Sequence, residues 1–301
     1  MERINFKHSI IFFNSCILIS PFYLMLNFEP IILCLCLILI LGISHGALDN
    51  IKGKKLLNLF GYKKMIIFYL AYILISFLII IFWLKFPNTV LLIFLIVAAY
   101  HFGKEDTVFS VREKLLISEF LYFLKGSAVI MVPLLLNREE TNEIFKILNF
   151  NFFEAEIFND QFLITMLILS LLSSLYISNK KNVDLKGLMV MDFFSLIILN
   201  LFLPPILAFT IYFCFLHSIR HSISLIFELD NSFKHGLKKF IIKAIPLTFV
   251  TGALFLFAIY FLNNFYMLDE AIYKVIFIGL ASLTFPHILL EYLLEKNEKR
   301  T

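Results

Sequence analysis

The chain has 301 residues, 60% of them hydrophobic and only 16% charged, with a formal net charge of +4. A soluble chain needs roughly a quarter of its residues charged to cover its surface, so a water-soluble enzyme built round one large core is excluded and a lipid bilayer is the expected solvent. No Lys/Arg stripe gathers on a polar domain, so no nucleic-acid partner is implied.

Taken in chain order, apolar runs of bilayer-crossing length predict ten helices, at 9–28, 30–50, 65–85, 88–106, 115–136, 161–178, 187–203, 205–227, 240–262 and 272–294. The expected fold is all-α, a polytopic membrane protein forming a single integral-membrane catalytic domain over 1–301. The first run follows Arg3 and Lys7 like a signal sequence, but no small-residue cleavage site comes after it, so it is expected to stay as a span. Pro204 and Pro205 mark either an external turn or a kink between the seventh and eighth helices. Cys16, Cys34, Cys36 and Cys214 all fall in apolar runs as packing residues, with neither a disulfide framework nor a CxxC metal site.

Loop charges set the orientation, because cytoplasmic loops carry the Lys/Arg excess. Loop 51–64 holds an excess of lysines, Lys52, Lys54, Lys55 and Lys63 among them, with no acid. Loop 179–186 sets Lys180, Lys181 and Lys186 against Asp184, and loop 228–239 sets Lys234, Lys238 and Lys239 against Glu228 and Asp230. The opposite side carries 137–160, whose six acids (Glu139, Glu140, Glu143, Glu154, Glu156 and Asp160) outnumber Arg138 and Lys146. Both termini are therefore expected in the cytoplasm, with the chain in a bacterial or archaeal inner membrane.

His8 and His235 lie in polar ends or loops and are expected to be solvated. The other five histidines are His45 in "GISHGALDN", His101 in "AAYHFGKED", His217 and His221 in "LHSIRHS", and His287 in "TFPHILLEY". They belong to the second, fourth, eighth and tenth helices, each near the C-terminal end of its helix, so they are expected to share one depth. His217 and His221 also share a helix face, being four residues apart. An imidazole in hydrocarbon needs partners for its nitrogens, and one metal ion would serve all of them. Imidazoles without a thiolate point to a mononuclear iron or zinc centre. Asp49 and Glu105, four residues after His45 and His101, and Asp106 beside them stand where groups that receive a ligand's second N–H are expected. Arg220 is expected to snorkel to the interface or to pair with Asp49, Glu105 or Asp106. Gly42, Gly46 and Gly103 allow close approach of a helix or ligand.

In combination, "HGALD", "HFG" with Asp106 three residues on, "YFCFLHSIRH" and "FIGLASLTFPH" resemble the Brp/Blh family of bacteriorhodopsin-related membrane β-carotene 15,15'-dioxygenases. The resemblance implies cleavage of the central double bond of β-carotene with O₂ to give two retinal molecules, which pass in turn to a rhodopsin-type protein. It implies Fe(2+) held by His45, His101, His217 and His221, with His287 as a further ligand or a supporting residue. Asp49, Asp106, Ser218 and Arg220 match the family pattern as well. Two departures stand out: Ser44 precedes the first motif histidine where proline is expected, and Glu291 comes one residue early. Tyr100, Tyr212 and Phe213 adjoin ligands and are expected in the wall of a substrate tunnel.

The alternative from another class is a transition-metal or small-solute membrane transporter with the histidines as its transit site; it calls for midplane ligands and inverted repeats, and neither is visible. A haem cytochrome is disfavoured because His217 and His221 share one face, a di-iron desaturase because only one HxxxH box occurs, and an opsin because Lys274 lies at a helix end.

Overall fold

The computed structural model describes residues 2–25, 29–109, 115–151, 156–179 and 181–298, with the side chains of His45, Leu115, Glu156 and Glu298 outside the described set. Ten helices are long and apolar enough to cross a membrane: α1 (Glu2–Met25), α2 (Ile31–Leu59), α3 (Met65–Lys85), α4 (Pro87–Glu105), α5 (Leu116–Leu136), α6 (Asp160–Ser178), α7 (Val183–Phe202), α8 (Pro205–Leu229), α9 (Phe233–Leu262) and α10 (Leu268–Asn297). Among the described residues there is no strand, as expected where hydrocarbon cannot satisfy an open backbone.

The predicted order and number of helices agree with this bundle, and the differences lie at the ends. The second helix does not stop near residue 50 but runs to Leu59, so Lys52 and its neighbours lie on a helix rather than in a loop. The ninth begins at Phe233, seven residues before the apolar run does, because Gly236 and Phe240 still bury a face there. Pro204 and Pro205 make a true break: Leu203 is extended, with φ −122° and ψ 149°, and Pro205 opens α8 at its first turn. The acidic connection after α5 contains an amphipathic helix, Arg138–Ile147, that buries Thr141, Ile144 and Phe145 and turns Glu139 and Glu140 outward.

Burial separates inner from outer helices. In its most apolar stretch α8 is 72% buried, while α3 is 0% and α9 11% buried; α8 is thus the central post, and α3 and α9 give most of their surface to lipid. The apolar core runs through α2, α4, α5, α7, α8 and α10. Helices α4 and α5 touch backbone to backbone at a pair of glycines. A Cβ on Gly103 would lie 1.8 Å from the Tyr122 carbonyl oxygen, and one on Gly126 would lie 1.8 Å from that of Ala99. Only glycine fits at either position. Across the same contact Lys125 donates to the Gly103 carbonyl (3.2 Å) and to Thr107 Oγ1 (2.9 Å), closing the C-terminal end of α4.

Two helices depart from α geometry. In α2 a π-helical stretch, Ile38–Gly42, passes into a 3₁₀ stretch, Ile43–Leu48; in α8 a π-helical stretch covers Tyr212–Ser218. Such departures from α geometry often mark functional sites, and here the tightened 3₁₀ stretch carries His45 and the widened π-helical stretch carries His217.

Candidate metal centre

Four imidazoles from three helices meet at one end of the bundle. Ring centroids lie 5.2 Å apart for His101 and His217, 5.4 Å for His101 and His287, and 5.8 Å for His221 and His287. All four residues are buried. The shared depth expected of α4, α8 and α10 has become a cluster. The backbone of His45 lies in the 3₁₀ stretch of α2, while its side chain is outside the described residues.

Three of the rings are held at Nδ1 by carboxylates. Asp106 Oδ1 is 3.0 Å from His217, Glu105 Oε2 is 3.1 Å from His221, and Asp49 holds His287 with both oxygens at 2.8 and 2.9 Å. The acids were expected to serve the histidine four residues before them on their own helix. Their described partners lie on neighbouring helices: Asp49 crosses from α2 to α10, and Glu105 crosses from α4 to α8. Each acid is fixed in turn, Asp49 by the Tyr72 hydroxyl (2.9 Å) and Asp106 by the Tyr212 hydroxyl (2.5 Å).

Glu291 joins the group. Ligating atoms of His101, His287 and Glu291 lie within 4.8 Å of one another, as do those of Glu105, His221 and Glu291. Its oxygen is 2.6 Å from Lys52 Nζ and 3.7 Å from His287 Nε2. The candidate donor set is thus imidazole and carboxylate, with three rings oriented by carboxylates at Nδ1 so that Nε2 is the atom that would ligate a metal, an arrangement typical of histidine-bound first-row metals. These residues fit a resident metal ion, iron included.

Arg220 does not snorkel, and Asp192 rather than Asp49, Glu105 or Asp106 supplies its carboxylate. It is fully buried and grips Asp192 of α7 with two nitrogens, at 2.6 and 3.0 Å. It also donates to Ser9 Oγ (2.7 Å) and to the Asp106 carbonyl oxygen (3.3 Å). Buried Coulomb attraction and four hydrogen bonds outweigh the reach to the interface. Asp192 was readable as a lone acid inside an apolar run; for Ser9 and Tyr72 no signal separated them from packing residues. His8 is a second correction: its half-buried ring donates from Nε2 to the Phe215 carbonyl (2.8 Å), inside the π-helical stretch of α8, instead of facing water.

A mostly apolar cavity of about 920 Å³ reaches the cluster, lined there by Gly46, Asp49, His101 and His287. It runs along α10 from His287 to Lys274, thirteen residues or about 20 Å of helix. At the far end it meets Thr141, Ile144 and Phe145 of the amphipathic helix, whose Ile147 carbonyl accepts from Lys274. Phe213 lines the cavity as expected, but Tyr100 and Tyr212 do not; the Tyr212 hydroxyl is turned to Asp106. Gly42 packs on the Phe213 ring, where a Cβ would come within 2.6 Å, whereas a Cβ on Gly46 would meet nothing within 4 Å.

Residues 36–295 match the family model described as beta-carotene 15,15'-dioxygenase. A relative from an uncultured marine bacterium (66A03), described as a beta-carotene 15,15'-dioxygenase, is 29% identical over 278 residues, covering 88% of this chain and 94% of the relative. No solved structure matches.

Proposed function

The chain belongs to the beta-carotene 15,15'-dioxygenase family, and from that premise we propose that it cleaves the central double bond of β-carotene with O₂ to give two molecules of retinal. The reaction balances without another reactant: the central C=C bond breaks, and each of its carbons takes one oxygen atom of O₂ as an aldehyde. The observation that carries the reading is an imidazole cluster set at one end of a long apolar cavity within a membrane bundle. A volume of about 920 Å³ is at the large end for a ligand pocket and suits an extended hydrocarbon. β-Carotene is dissolved in the bilayer, so a site at membrane depth meets it where it is.

The ligands proposed for Fe(2+) are His45, His101, His217 and His221, with His287, which is grouped with His101 and His221, as a further ligand or a supporting residue. Iron bound there would supply the oxygen-activating redox chemistry. The protein does the rest. Asp106, Glu105 and Asp49 fix the planes of three imidazoles. Phe102, Phe209 and Phe213 line the cavity as aromatic wall, holding the polyene straight and excluding water. The amphipathic helix stops it at the far end, so the distance from that stop to the cluster sets which bond is presented. Retinal then leaves into the bilayer for a rhodopsin-type acceptor.

The test is expression in cells that accumulate β-carotene. Loss of colour with formation of retinal alone supports central cleavage. Unchanged carotenoid despite good membrane expression, or longer apocarotenals in place of retinal, would overturn it.

A further inference from the structure

Two hydroxyls in the cavity wall depart from the commonest habit of serine and threonine in this bundle. Many buried or half-buried serines and threonines bond back to their own helix, among them Ser195 to the Met191 carbonyl (2.8 Å), Thr210 to Ile206 (2.7 Å), Ser282 to Gly279 (2.8 Å) and Ser127 to Leu124 (2.7 Å), while Ser9 and Ser170 donate across to Asp192 (2.8 Å) and to the Lys125 carbonyl (2.7 Å). Bonding back is the default for a hydroxyl on a helix in apolar surroundings. Ser76 of α3 and Thr248 of α9 do neither: their side-chain oxygens are buried and make no hydrogen bond with any described residue. Both residues line the cavity. A hydroxyl left unmatched in hydrocarbon is costly, so the wall is built to meet something polar there.

Both positions lie close to the histidine cluster. Ser76 is one helical turn, about 6 Å, beyond Tyr72, whose hydroxyl donates to Asp49 at 2.9 Å and so touches the group that holds His287. Thr248 adjoins Leu247, which packs against an apolar cluster that includes Ala47 and Leu48 of the stretch that carries Gly46. The wall at Gly46 is bare. Helices α3 and α9 are also the two that bury least of themselves, so this part of the cavity stands next to lipid.

β-Carotene is a hydrocarbon and offers a hydroxyl no acceptor. Cleavage creates one at each new chain end. We propose that the Ser76 and Thr248 hydroxyls form a binding site for the product aldehyde, donating to its carbonyl oxygen as it moves from the centre along α3 and α9 toward the bilayer. The proposal rests on the cleavage reading for the identity of the aldehyde, not for the existence of the site. It gives the cavity a preference for retinal over hydrocarbon and makes product retention a property of these two side chains.

The single tryptophan of the chain, Trp83, lines the same cavity, so binding is read by quenching of its fluorescence in the purified full-length protein. All-trans-retinal and anhydroretinol, a hydrocarbon polyene, are titrated against the natural chain, Ser76→Ala, Thr248→Val and the double variant. Each lost hydrogen bond should weaken retinal binding about twofold to tenfold, while anhydroretinol binds all four proteins alike. Unchanged retinal affinity in the double variant overturns the proposal. Equal weakening of retinal and anhydroretinol also overturns it, since the side chains would then only shape the wall. The measurement involves no turnover: hydroxyl-dependent retinal binding in a protein that leaves β-carotene intact would sink the cleavage reading and keep the aldehyde site.

Discussion

Replacing Arg220 with methionine removes a buried side chain that makes four hydrogen bonds. Its guanidinium makes two charge-assisted bonds to Asp192 (2.6 and 3.0 Å), one to Ser9 (2.7 Å) and one to the Asp106 carbonyl (3.3 Å). Hydrogen bonds to charged groups contribute about 1.5–3 kcal/mol each, but what decides the outcome is the carboxylate left behind. Asp192 is 7% exposed, and without Arg220 the Ser9 hydroxyl at 2.8 Å is left to balance its charge. Breaking a buried pair on one side costs about 3–5 kcal/mol, whereas replacing both partners by apolar groups is often close to neutral. Arg220→Met should therefore lose about 3–5 kcal/mol, Asp192→Leu a similar amount, and the double variant much less than their sum, with a coupling of about 3 kcal/mol. The assay is SDS-induced unfolding of purified protein in mixed micelles, followed by Trp83 fluorescence and helical circular dichroism. Additive losses, with coupling below about 0.5 kcal/mol, would show that the pair is not an energetic unit.

His217→Ala and His221→Ala should each abolish retinal formation and cut bound metal, measured by elemental analysis of the purified protein; a variant that keeps full activity removes that residue from the proposed ligand set. Asp106→Asn keeps the shape but not the charge that fixes His217, so it should fold, reach the membrane and bind metal about 10–100-fold more weakly; equilibrium dialysis against graded free metal checks this, and unchanged affinity refutes the orienting role. Treatment with a strong iron chelator should extinguish cleavage, and Fe(2+) added back should restore it where Zn(2+) does not. Restoration by zinc would redirect the reading to non-redox chemistry.

Helix number and the grouping of His101, His217, His221 and His287 were legible because hydrocarbon leaves so few choices. Length and apolarity mark a span, and a polar ring near the same end of four spans has one depth to occupy. Partners across helices were not legible. Asp49 and Glu105 stand four residues after a histidine, which suggests a pair on one helix, yet the rotations of α2 and α4 aim them at His287 and His221. Such rotation depends on packing, including the π and 3₁₀ stretches of α2 that no apolar periodicity announces. Arg220 illustrates the same limit: its charge was plain in the sequence, but only the approach of α7 and α1 supplies Asp192 and Ser9. Glu291, one residue displaced from the family pattern, still reaches the cluster and meets Lys52.

The amphipathic helix Arg138–Ile147 closes the far end of the cavity without belonging to any of the ten spans. A chain of this design separates two tasks that most membrane enzymes combine in the same helices. Its spans must keep their length and apolarity to be inserted at all, but the plug between α5 and α6 is free of that demand. Residues such as Ile144 and Phe145 can change size, and the connection can lengthen or shorten, while the imidazoles and their carboxylates stay where they are. The depth of the cavity, and with it the polyene that the proposed reaction would accept, is thereby open to variation by small changes outside the spans, in a bundle whose histidine cluster stays in place.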